Sequence, residues 1–118
     1  MSTHLDLILE KTHFTPNEVI NGQLSWQLEM PPETFRISLI WETDGRGTQD
    51  SKEEARVDLT ANELLGQKPF KFTLPASPYS FSGKLIHLHW SIEVKNKKNK
   101  QRAKVPIVVG PDENEVKL

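Results

Sequence analysis

The feature that most constrains this chain is the run from Ile86 to Val94. Ile86, Leu88, Trp90, Ile92 and Val94 alternate there with His87, His89, Ser91 and Glu93. A period of two kept over that length specifies a half-buried strand, with one face on a core and the other toward water. An amphipathic helix would repeat its apolar positions at three and four instead. Just upstream, Phe70, Phe72 and Leu74 alternate with Lys71 and Thr73, and the proline-rich corner Pro75–Gly83 joins the two runs.

The same period recurs along the chain. From His4 to Lys11, Leu5, Leu7 and Leu9 share one face, and His4, Asp6, Ile8 and Glu10 the other. A turn follows at Phe14–Glu18, where Pro16 fixes φ and Asn17 tolerates the left-handed region. A second strand runs from Val19 to Met30 with Leu24, Trp26 and Leu28 inward; Gly22 marks a bulge or a close backbone approach, and Pro31 and Pro32 end it. The third, Phe35 to Thr43, sets Phe35, Ile37, Leu39 and Trp41 against Arg36, Ser38, Ile40 and Glu42. Asp44–Glu53 reads as a mobile polar loop. Glu54 to Thr60 is a shorter strand with Ala55, Val57 and Leu59 in phase, and Ala61–Gly66 suits a single helical turn. The last strand, Gln101 to Val109, carries Pro106, the mark of an edge or a bulge. Strands at this spacing, with no convincing helix, predict an all-β fold: an immunoglobulin-like antiparallel β-sandwich of about seven strands.

With 118 residues the chain suffices for one domain, read as residues 1–110 followed by a loose acidic tail, 111–118. It has no cysteine, which removes disulfides and thiolate metal sites. Without a long apolar run, or a basic start followed by an apolar block, the expected location is cytoplasmic. A formal net charge of -1 gives no global attraction to nucleic acid or membranes.

Candidate chemistry is sparse. No G-x-S-x-G or phosphate-loop residues are present, since Gly45-Arg46-Gly47-Thr48 lacks the lysine that such a loop needs, and no nucleophile sits at a recognisable spacing from a base. The expectation is a protein that is not an enzyme and has no cofactor. His87 and His89 form an H-x-H pair whose imidazoles leave one face of a strand, a spacing that supplies two zinc ligands. A third would come from another strand, with His4 or Asp6 as candidates; the plain alternative is a solvated histidine pair. Lys95, Lys97, Lys98, Lys100, Arg102 and Lys104 are six of the fifteen basic residues, in a stretch with no acidic one. They suit a contact for phosphates, anionic lipid heads at a membrane surface or an acidic peptide. The alternatives are a hairpin that lysines keep from pairing with other chains, or neutralisation by Asp112, Glu113 and Glu115. Aromatic residues do not interleave the run, so nucleic-acid binding is not expected. Trp26, Trp41 and Trp90 share phase with Leu and Ile, which makes them core rather than a sugar platform. Ile8 and Ile40 are out of phase and suit an exposed apolar patch.

Two motifs resemble the N-terminal half of arrestin-fold proteins. The first is Leu7-x-Leu9-x(4)-Phe14-x-Pro16-Asn17-Glu18-x-Ile20-x-Gly22-x-Leu24, with Asn17 where the family usually has glycine. The second is Phe70-x-Phe72-x-Leu74-Pro75, then Pro78-x-Ser80-Phe81-x-Gly83, then Ile86-x-Leu88-x-Trp90-x-Ile92-x-Val94. Arrestins carry two such sandwiches and this chain has room for one. The resemblance implies a non-enzymatic cytoplasmic scaffold or adaptor that binds other proteins, often near membranes. It also raises self-association through an edge strand as a substitute for the second domain.

Overall fold

The computed structural model describes residues 4–45, 49–83, 86–98 and 101–117. In chain order its strands are β1 (His4–Leu9), β2 (His13–Phe14), β3 (Val19–Gln27), β4 (Glu33–Gly45), β5 (Ser51–Ala61), β6 (Leu65–Thr73), β7 (Phe81–Ser82), β8 (Ile86–Asn96), β9 (Arg102–Val109) and β10 (Val116–Lys117). Seven are long, and β2, β7 and β10 are two-residue additions. They form two sheets. The small sheet is ordered β1-β3-β6; the large one runs β10-β7-β8-β4-β5, with β9 also paired to β8 and β2 paired to β9. The long strands pair antiparallel, and the short β2–β9 and β10–β7 ladders are parallel. The all-β sandwich expected from the alternation is the fold observed.

Alternation places the core directly. Leu5, Ile20, Leu24, Trp26, Phe70 and Phe72 come from the small sheet and meet Phe35, Ile37, Leu39, Leu88, Trp90, Ile92, Val94 and Ile107 from the large one. Trp90 is fully buried, and its indole N–H donates to Pro78 O at 3.0 Å. Trp26 donates to Glu63 O at 3.1 Å, and the half-buried Trp41 donates to Glu54 Oε1 at 2.9 Å. Each indole therefore buries its apolar body and keeps one polar partner, as a core tryptophan requires.

Gly22 marks a close approach and not a bulge, because the β1–β3–β6 register passes through it unbroken. A Cβ there would lie 2.5 Å from Phe70 Cζ and 2.8 Å from Leu9 Cδ2. Asn17 adopts φ 68°, the left-handed geometry expected of it. Pro106 stands on an edge. Two residues further on, Val108 donates its N–H to Thr12 O at 2.8 Å, away from β8, so the missing N–H of Pro106 also faces away from β8.

Four local expectations are corrected. Ala61–Gly66 is not helical: Ala61 ends β5 and Leu65 already begins β6, which is pinned by Leu28 N–H on Leu64 O at 2.7 Å. Among its described residues Asp44–Glu53 is mostly strand, since β4 and β5 run into it and Thr43 N–H reaches Asp50 O at 2.8 Å; residues 46–48, Gly47 among them, lie outside those described. The tail is not loose, because Val116 N–H donates to Ser80 O at 2.9 Å and β10 joins β7. Finally, Ile8 faces outward on the small sheet and Ile40 on the large one, so they cannot form one patch. The signal missed in the tail was Val116, a single apolar residue among charges.

The sheets are also tied at their sides. Lys68 Nζ on β6 donates to Thr60 O on β5 at 2.8 Å. The corner after β6 is held by Ser80, whose N–H donates to Val109 O at 2.7 Å while its Oγ accepts from Val109 N–H at 3.0 Å.

Candidate interaction surface

The outer face of the large sheet is built by the residues that alternate with the core. Register sets them in rows across β5, β4, β8 and β9. One row reads Asp58, Arg36, Lys95, Arg102; the next reads Arg56, Ser38, Glu93, Lys104. Three cations thus stand side by side on three adjacent strands. Like charges directly opposite each other destabilise a sheet, so this row needs compensation, and the structure supplies it. Arg36 Nε lies 3.1 Å from Asp58 Oδ1, and Lys97 Nζ lies 3.6 Å from Asp58 Oδ2. The nearly buried Glu93 takes Lys95 at 3.6 Å on one oxygen and Arg102 at 3.7 Å on the other. Lys104 pairs with Glu42. Hydrogen bonding to Arg36, with lesser help from its charge and from Lys97, lowers the Asp58 pKa, and the Asp58 hydrogen bond raises that of Arg36.

Between these side chains runs a groove of about 380 Å³, lined by Arg36, Lys95, Arg102 and Lys104 against Glu42, Glu53 and Glu93. The six cations expected to meet an anion therefore divide. Lys95, Arg102 and Lys104 lie on the sheet face. Lys97 and Lys98 follow β8 in the turn, where Lys98 N–H donates to Asn96 Oδ1 at 2.9 Å and its exposed ammonium has no ion pair among the described residues. Lys100 lies outside the described residues. Arg36 belongs to the group but was invisible in the sequence, because only pairing brings it beside Lys95. The acidic tail does not neutralise this surface as one alternative supposed. Glu113 pairs with Lys11 at 2.8 Å, on a different part of the molecule. That contact, with Glu18, raises the Lys11 pKa; Glu18 is lowered first by Lys11 and then by the Thr15 N–H.

His87 and His89 lie further along β8 with their rings stacked, centroids 5.9 Å apart. His89 Nε2 is 3.2 Å from Asp44 Oδ2, and His87 Nδ1 is 3.1 Å from Ser82 Oγ. The two residues considered as a third ligand, His4 and Asp6, hydrogen-bond to each other at 3.0 Å on β1 of the other sheet. Among the described residues no group of three or more metal-ligating side chains converges. No described helix is long and apolar enough to cross a membrane.

No family model matches the sequence, and no curated protein does. The fold has solved counterparts. Spo0M, a sporulation control protein from Bacillus subtilis, superposes with a TM-score of 0.64 at 17% identity, over 92% of this chain and 49% of that one. The chain therefore spans about half the length of Spo0M. A β-glucosidase from Listeria innocua gives a TM-score of 0.52 at 11% identity, over 97% of this chain and 16% of that one. At these identities the likeness concerns the fold alone.

Proposed function

We propose that this domain is a non-enzymatic protein-interaction module, of the adaptor or scaffold kind, that docks an acidic segment of a partner on the outer face of its large sheet. The observation that carries the reading is the row Arg36–Lys95–Arg102, like charges held side by side over a groove. A purely structural face gains nothing from that arrangement, whereas an acidic strand laid across it would meet all three cations. The sequence motifs and the sandwich together resemble one domain of the arrestin-fold proteins. That resemblance points to a cytoplasmic protein-binding role.

A fluorescently labelled glutamate-rich peptide tests the reading by anisotropy. Binding is expected at low salt and is expected to weaken as salt screens the face. The triple variant Arg36→Ala/Lys95→Ala/Arg102→Ala should lose it, while Lys71→Ala, on β6 of the other sheet, should bind like the parent. Equal binding by parent and triple variant would end the proposal. Preference of the parent for anionic vesicles over the peptide would move the partner from protein to lipid.

A further inference from the structure

A sheet edge is a template for another strand unless something blunts it, and the edges of this sandwich are blunted unequally. The β5 edge carries Lys52, Glu53, Glu54, Arg56 and Asp58. The β6 edge carries Pro69, Lys71 and the Lys68 bridge to Thr60. On β9, Pro106 removes one outward donor and β2 covers the end. By contrast β1, the other edge of the small sheet, reads His-Leu-Asp-Leu-Ile-Leu, with no proline, glycine or lysine.

The outward groups of β1 can be assigned. Glu10 N–H points to Asn21 O on β3, at 3.4 Å. By the alternation of an antiparallel ladder, the even-numbered residues of β1 bond to β3, and Leu5, Leu7 and Leu9 direct their N–H and C=O groups to the open side. Among the described residues nothing takes them. The inner face is open there too: Leu7 and Leu9 are half-buried, although both point into the sandwich, whereas Leu24 beside Leu7 is fully buried.

We infer that β1 is a self-pairing edge, and that two copies of this chain join antiparallel through it about a dyad at Leu7. In this register Leu5 stands opposite Leu9 of the second copy, and Leu7 opposite Leu7. The three outward-bonding residues of each strand all find partners, and the leucines continue the core layer from one copy to the next. On the outer face His4 meets Glu10 of the second copy, and Asp6 meets Ile8. The register slipped by two residues sets Asp6 against Asp6, like charges face to face, and is disfavoured. The occupant is thus a second copy by fit of hydrogen bonds, apolar layer and charge together. This is independent of the charged face on the other sheet.

Because the chain has no cysteine, single cysteines report the register without background. Asp6 and Ile8 face each other across a non-hydrogen-bonded pair, where side chains come closest. Asp6→Cys and Ile8→Cys proteins, mixed and mildly oxidised, are expected to give a disulfide-linked heterodimer, and neither is expected to cross-link alone. Sedimentation should show a concentration-dependent dimer, weakened about fivefold by Glu10→Lys and restored by His4→Glu/Glu10→Lys. Cross-linking of Asp6→Cys by itself would overturn the register. A strictly monomeric mass up to millimolar concentration would overturn the pairing altogether.

Discussion

Across the large sheet, Arg36, Lys95 and Arg102 stand in one row, with Asp58 at its end and Glu93 alongside. The middle row of the small sheet's outer face holds Ile8, Gln23 and Pro69 instead. The difference extends to the edges. The large sheet ends in the charged β5 on one side and in the proline-bearing, partly covered β9 on the other, while in the small sheet β1 pairs with β3 alone among the described residues. The two faces are therefore suited to different contacts: a salt-sensitive, reversible one on the large sheet, and a hydrogen-bonded, shape-determined one along the small sheet.

The largest expected effect removes what both sheets share. Trp90→Ala should cost about 3–5 kcal/mol in denaturant unfolding, because the indole fills the space between the sheets and its N–H partner, Pro78 O, would be orphaned. A variant as stable as the parent would mean that the sheets do not pack on Trp90. Gly22→Ala should act on the small sheet alone and cost about 1–3 kcal/mol, since the added methyl meets Phe70 and Leu9. Gln23→Ala, next in sequence but outward, is the control and should be nearly silent.

Glu93→Gln sharpens the account of the large sheet. It removes the carboxylate shared by Lys95 and Arg102, so affinity for the acidic peptide should rise about threefold. A fall would mean that Glu93 orders the cations rather than competing for them. The smallest effect is in acid. Asp58 and Glu18 both have folded pKa values lowered from their ordinary 3.8 and 4.5. The native state then binds fewer protons than the unfolded one, so their contribution is fully present above those ordinary values. It is lost as pH falls through the lower folded ones. The urea midpoint should drop over that window, less steeply in Asp58→Asn; an identical slope in parent and variant would show that the Arg36 contact contributes nothing.

Much of the inward and outward assignment was legible because period two is a local property. Trp26, Trp90, Leu24 and Ile92 needed only their neighbours in sequence to be placed in the core. What could not be read was adjacency. Arg36 comes beside Lys95 only through pairing between distant segments, and no composition or spacing announces that. The same limit hid the parting of His4 and Asp6 from His87 and His89. The helical turn expected at Ala61–Gly66 failed for a different reason: β5 runs to Ala61 and β6 begins at Leu65, which leaves no room for a turn of helix, and both Leu64 and Leu65 are exposed.

The β2–β9 ladder and the Lys11–Glu113 contact join the first and last parts of the chain. In time, this means that the small sheet has all its strands once β6 is made, while the large sheet must wait for β9. Strands β1, β3 and β6 are therefore synthesised before the large sheet can be completed, and the leucines of β1 and β3 stay uncovered until β9 is made. Such late, long-range closure is slow and exposes apolar surface meanwhile. For this chain, the interval between the two sheets is when a neighbouring copy has its best chance to capture the wrong strand.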